Sequence, residues 1–123
     1  MSTILIVDDD PDVAEVFKIF LGSEGHTTVA AEGGIQALKL LQVIHPDVIL
    51  LDLMMQPMDG WTTLKSIKKN PQTQDIPVII ITGKPQFGDE RETYAAMYYE
   101  YMLKPIRKQD LCTTVTKALS GAC

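Results

Sequence analysis

Apolar positions along this chain follow two rhythms. Three short runs are apolar at every position: Ile4-Leu5-Ile6-Val7, Val48-Ile49-Leu50-Leu51 and Val78-Ile79-Ile80-Ile81. A strand apolar on both sides is buried on both faces, as in a parallel sheet covered by helices. Strands are predicted at residues 3–7, 27–30, 47–51, 77–81 and 100–103. The run 27–30 is more polar and suits a sheet edge. Between strands the spacing turns helical. Val13, Val16, Phe17, Phe20 and Leu21 predict one apolar stripe. Asp10 is a natural N-cap for that helix, Pro11 fits its first position, and Gly22 and Gly25 mark its end. Ile35, Leu38, Leu41 and Ile44 form a second stripe. A third helix is predicted from Gly60 to Lys69, with Leu64 and Ile67 inward and Asn70-Pro71 as the stop. A weaker pattern covers residues 89–98. The last helix carries Leu111, Val115, Ala118 and Leu119 on one face.

This alternation predicts one α/β domain over residues 1–123, a doubly wound (βα)5 unit without repeat or linker. Five strands fit a parallel sheet of order 2-1-3-4-5, the flavodoxin-like arrangement, whose site lies at the carboxyl ends of the strands where the order reverses. That order sets the ends of strands 1 and 3 side by side. Strand 1 ends in Asp8-Asp9-Asp10, strand 3 in Asp52, strand 4 in Thr82-Gly83 and strand 5 in Lys104-Pro105.

Charge gives those ends a meaning. The 123 residues hold 16 acidic and 11 basic side chains, a net charge of −5. Such a balance argues against direct nucleic-acid binding, which draws on phosphate attraction. No apolar run approaches the roughly 18–20 residues of a membrane helix. No basic region precedes the first apolar run, so a signal peptide is not expected, and neither is a membrane partner. Cys112 and Cys123 lack ligand-like spacing and read as free thiols, which places the chain in a cytoplasm. Three of the 16 carboxylates, Asp8, Asp9 and Asp52, converge on one cleft. Without a cation, their repulsion pushes at least one toward protonation. Carboxylates with waters suit Mg²⁺. Lys104 brings an ammonium and Thr82 a hydroxyl. Together they make the surroundings a phosphoryl group needs, and a carboxylate can itself take that group as an aspartyl phosphate.

In sequence order, Ile4 to Asp10, Asp47 to Met55, Met58-Asp59-Gly60, Pro77 to Gly83 and Tyr101 to Pro105 resemble the receiver domain of two-component response regulators. The resemblance spans nearly the whole chain. It implies that Asp52 is the phosphoacceptor. It implies that Asp8, Asp9, Asp52 and the Met54 backbone carbonyl hold Mg²⁺. Lys104 would pair with phosphoryl oxygens, and Thr82 would bond them through its hydroxyl. Tyr101 would be an aromatic switch moving inward with Thr82. Gly83 would keep room beside the phosphate, and Lys104-Pro105 would be cis-linked. The implied phosphoryl donor is a sensor histidine kinase or phosphotransfer protein. The implied output face is the fourth helical pattern, strand 5 and the last helix, for a downstream effector or a homodimer. The implied domain assists its own phosphorylation and dephosphorylation and turns over no metabolite. Apolar Met54 and basic Lys84 flank the site and imply slow self-dephosphorylation.

Three departures stand out. Gln56 replaces the usual proline four residues after the acceptor, and Pro57 follows it. Met97-Tyr98 stands where Gly-Ala is frequent, and Ile106 replaces a common Phe. Three other classes also compete. A haloacid-dehalogenase-like phosphatase would use Asp8 as nucleophile and Asp10 as acid/base, but Asp12 stands at the motif's fifth position. A flavin mononucleotide binder would need a Ser/Thr-Gly-rich loop after strand 1. A pseudo-receiver interaction module would not need the acidic set.

Overall fold

A computed structural model describes residues 2–55, 58–83 and 94–120. Its elements are β1 (Thr3–Val7), α1 (Pro11–Gly22), β2 (Thr27–Ala31), α2 (Gly34–Leu40), β3 (Val48–Leu51), α3 (Gly60–Lys69), β4 (Val78–Thr82), β5 (Glu100–Leu103) and α4 (Lys108–Leu119). All five strands pair in parallel, in the order β2-β1-β3-β4-β5. This is the doubly wound, flavodoxin-like sheet expected, with β2 and β5 at its edges.

The wholly apolar strands feed two cores. Leu5, Val7, Ile49, Leu51, Val78 and Ile80 face one side, under α2 and α3. Ile4, Ile6, Val48, Leu50, Ile79 and Ile81 face the other, under α1 and α4. Alternation with period two sends neighbours to opposite faces, so a continuous apolar run serves a sheet covered on both sides.

Two helices keep most of the expected stripe, with Val13, Phe17, Phe20 and Leu21 of the first and Leu38 and Leu41 of the second against the core, but each leaves one expected residue outside. In α1 the buried residues are Ala14, Phe17 and Leu21, while Val16 remains 44% exposed. The small Ala14 takes a buried place that hydrophobic spacing does not register, and Val16 lies at the rim. In α2 the buried pair is Gly34 and Ala37, and Ile35 is 45% exposed. A side chain at position 34 would collide with Thr63 and Met58, so α2 packs close to α3 only through glycine. The helix also ends at Leu40, short of the expected Ile44.

Local signals set the other boundaries. Asp10 caps α1 by accepting from the Asp12 amide at 2.9 Å, and Pro11 opens the helix. Gly25 follows with φ of +89°, a conformation that favours glycine. Asp59 caps α3 by accepting from the Thr62 amide at 2.7 Å. The helical pattern at 89–98 lies half outside the described residues. Its described part is a single turn, in which the Met97 amide bonds the Tyr94 carbonyl at 2.8 Å.

Candidate functional site

Each strand of the site delivers its chemical residue just past its last apolar position. The Asp8 amide donates to the Ala31 carbonyl at 3.1 Å, and the Asp52 amide donates to the Val7 carbonyl at 3.0 Å. These bonds carry the sheet ladder one residue beyond β1 and β3. Asp8 and Asp52 are therefore fixed side by side where the strand order reverses. Both are only 4% exposed. Asp9 follows on the open rim. Carboxylate oxygens of Asp8, Asp9 and Asp52 all lie within 4.8 Å of one another.

The backbone turns around these carboxylates. Asp8 Oδ1 accepts from the Asp10 amide at 2.9 Å. Asp52 Oδ1 accepts from the Met54 amide at 3.1 Å. Lys104 reaches in from the end of β5, where its amide bonds the Thr82 carbonyl at 2.8 Å. Its Nζ lies 2.8 Å from Asp8 Oδ2 and 3.5 Å from Asp52 Oδ2. The Lys104–Pro105 peptide is cis, as the resemblance implied.

The charges respond to this burial. Burial pushes the Asp52 carboxyl above its ordinary pKa. The Met54 amide works against that, the Asp8 charge adds to it, and the Lys104 ammonium opposes it. Burial works to lower the Lys104 pKa, but the Asp8 hydrogen bond and the Asp52 and Asp8 charges prevail and raise it. Among the described residues, a cluster of three carboxylates faces one ammonium and is thus short of positive charge. Its donors are all hard oxygens, which fit a divalent cation such as Mg²⁺.

Thr82 is fully buried at the carboxyl end of β4, the strand beside β3. Tyr101 is buried in β5, paired with Ile80. Tyr101 thus already stands inward. Met54 is 57% exposed at the rim. A side-chain carbon at Gly83 would meet nothing within 4 Å among the described residues. Lys84, Gln56 and Pro57 lie outside the described residues.

Two features escaped the sequence. The first is the partner of Lys104, whose shorter ion pair is with Asp8. The second is Gly60. Its amide bonds the Leu53 carbonyl at 3.1 Å, and a Cβ there would stand 2.5 Å from the Asp52 carbonyl oxygen and from Leu53 Cα. The Asp59-Gly60 pair was visible as a motif, but its contact with the Asp52 backbone needed the fold.

A doubly wound sheet with its acidic cluster at the reversal of strand order belongs to the flavodoxin-like class. Within that class, residues 4–116 match the response regulator receiver domain, and the chain belongs to that family. Protein PilH of Pseudomonas aeruginosa is 34% identical over 123 residues, covering 98% of this chain and 100% of PilH. The DNA-binding dual master transcriptional regulator RpaA of a Synechocystis species is 32% identical over 119 residues, covering 97% of this chain and 49% of RpaA. The chain thus spans about half the length of RpaA and the whole of PilH. The N-terminal domain of a response regulator receiver protein from Methanoculleus marisnigri JR1 superposes with a TM-score of 0.81 at 40% identity, with 98% of each chain covered. Receiver domains are signalling domains, and they interact with histidine kinases or phosphotransfer proteins and with effectors. No helix among the described residues is long and apolar enough to cross a membrane.

Proposed function

We propose that this single receiver domain accepts a phosphoryl group on Asp52 from a histidine kinase or phosphotransfer protein, in a Mg²⁺-dependent reaction. The observation that carries this reading is the placement of Asp52. Its carboxylate is buried, its Oδ1 is held by the Met54 amide, and its Oδ2 faces Lys104. An Asp52 oxygen attacks the donor's phosphorus. The new P–O bond forms as the donor's P–N bond breaks, and the leaving imidazole keeps the electron pair and takes a proton. Lys104 neutralises a phosphoryl oxygen, and the Thr82 hydroxyl donates to another. Asp8, Asp9, Asp52 and the Met54 carbonyl would hold Mg²⁺, which when bound supplies positive charge to the carboxylates and phosphoryl oxygens.

Phosphorylation adds about −1.5 to −2 charges at Asp52. Thr82 moves toward the new acceptors, and the space it leaves favours one position of Tyr101. The face built from residues 94–98, β5 and α4 then shifts between two arrangements and is read by an effector or by a second copy. The domain assists its own phosphorylation and the hydrolysis that ends it. The exposed, apolar Met54 offers water no orienting group, so hydrolysis is slow. The setting is cytoplasmic. Incubation with phosphoramidate, a small donor with a P–N bond, tests the reading. A Mg²⁺-dependent mass gain of one phosphoryl group is expected in the wild type and is absent from Asp52→Asn. A gain that persists in the variant, or none in either protein, sinks it.

A further inference from the structure

We propose that Trp61 is a positioning residue that joins the acceptor backbone to the segment before β5 through a ladder of aromatic rings, separately from Thr82. The inference rests on Asp52 being the phosphoacceptor.

The ladder starts at Gly60. Its amide bonds the Leu53 carbonyl at 3.1 Å, and no methyl group fits between its Cα and the Asp52 carbonyl. The first residue of α3 therefore has no slack against the acceptor's own peptide. Asp59 ties the same turn internally through the Thr62 amide at 2.7 Å. A shift of the Asp52-Leu53 backbone passes to α3 as a whole, and Trp61 is its next residue.

The rings continue from there. The buried Trp61 indole stacks on Tyr94, with centroids 4.5 Å apart and planes 14° from parallel. It also meets Tyr98 at 6.2 Å, tilted by 41°. Tyr98 in turn meets Tyr101 at 6.0 Å, tilted by 56°. One turn along α3, Lys65 Nζ lies over the Tyr94 ring, 5.7 Å from its centre. Ring contact is thus unbroken from the start of α3 to the middle of β5. The segment joins the sheet ladder where the Tyr99 amide bonds the Val78 carbonyl at 2.7 Å. Before that point, Tyr94 stacks on Trp61 and packs against the core under α3. Aromatic pairs have preferred offset geometries, and packed interiors rearrange between discrete states rather than deforming smoothly. A tilt of α3 therefore reaches Tyr98 and Tyr101 directly.

The chain has one tryptophan, so its indole N–H gives one resonance to follow. The test is ¹H–¹⁵N spectroscopy of the full chain on addition of Mg²⁺ and beryllofluoride, a phosphoryl mimic. It uses wild type, Thr82→Ala, Tyr98→Leu, Tyr98→Phe and the Thr82→Ala/Tyr98→Leu double variant. Tyr98 is half-buried and is the ring between Trp61 and Tyr101, so Tyr98→Leu cuts the ladder without opening the core. The Trp61 indole resonance should shift in the wild type and in Thr82→Ala. The Tyr101 amide shift should fall by about half or more in Tyr98→Leu, recover in Tyr98→Phe, and nearly vanish in the double variant. If the Met54 amide shifts but the indole does not, the ladder is packing only and the proposal fails. It fails equally if Thr82→Ala alone abolishes every shift at Tyr98 and Tyr101. If the Met54 amide itself stays still in the wild type, the acceptor reading is wrong and the coupling falls with it.

Discussion

The Lys104 ammonium sits 2.8 Å from Asp8 Oδ2, closer than its 3.5 Å approach to Asp52 Oδ2. Asp8 therefore holds the tighter ion pair, and Lys104 offsets two buried carboxylates at once. Removing one partner of a buried pair costs several kcal/mol, less where solvent reaches the pair. Lys104 is partly exposed, so Lys104→Met should destabilise the fold by about 1–3 kcal/mol. Thermal unfolding should show a lower Tm in the variant, partly restored by millimolar Mg²⁺. An unchanged Tm would mean the pair contributes nothing to the fold.

Asp52 gives a pH-dependent prediction. Burial raises its pKa in the folded chain, so the folded state holds this proton more tightly than the unfolded state. Keeping Asp52 ionised costs stability at pH values above the folded pKa. The cost is relieved as the pH falls through that pKa toward the unfolded one. Asp52→Asn should therefore be more stable than wild type at pH 7, on the scale of about 1 kcal/mol or a few degrees in Tm. The gap should close as the pH is lowered into the acidic range. Denaturant melts at several pH values check both the sign and the trend.

Gly60 and Gly83 flank the same site and should respond oppositely to one methyl group. At Gly60 a Cβ meets Asp52 and Leu53 backbone atoms at 2.5 Å, whereas at Gly83 it meets nothing within 4 Å among the described residues. Gly60→Ala should cost about 1–3 kcal/mol, as overpacking does. It should also displace the Asp52 amide resonance. Gly83→Ala should stay within about 0.5 kcal/mol of wild type. Chemical denaturation of the two variants makes the comparison.

The edge of the α1 stripe can be checked in the same way. Ala14 is buried while Val16 is 44% exposed. Ala14→Leu should cost about 1–3 kcal/mol by overpacking. Val16→Ser should stay within roughly 0.5 kcal/mol. The reverse ranking would restore the stripe first expected from the spacing.

The two cases show where the sequence was legible. Ile4 to Val7, Val48 to Leu51 and Val78 to Ile81 announced central strands because only a doubly covered sheet tolerates such runs. Asp10-Pro11 announced a helix start because capping is local. The facing side of α1 and α2 was legible in Phe17, Leu21, Leu38 and Leu41, but its small members and the exposure of Val16 and Ile35 were not. Ala14, Gly34 and Ala37 are buried for their small size, which hydrophobic spacing does not register. At the site, Asp8, Asp9, Asp52 and Lys104 were found from their place at strand ends, since strand order alone brings those ends together. The preference of Lys104 for Asp8 depends on side-chain reach, and the contact of Gly60 with the Asp52 carbonyl depends on the path of the β3–α3 loop. Neither is a property of spacing.

Which carboxylate takes the phosphoryl group is the central question, because Asp8 and Asp52 lie side by side and equally buried. The direct measurement is to phosphorylate the chain with acetyl phosphate and Mg²⁺, reduce it with borohydride, and map the peptides. Reduction converts an acyl phosphate to homoserine at the residue that carried it. The account predicts homoserine at position 52 alone, and none when Mg²⁺ is chelated. Homoserine at position 8, or no conversion with Mg²⁺ present, would contradict it.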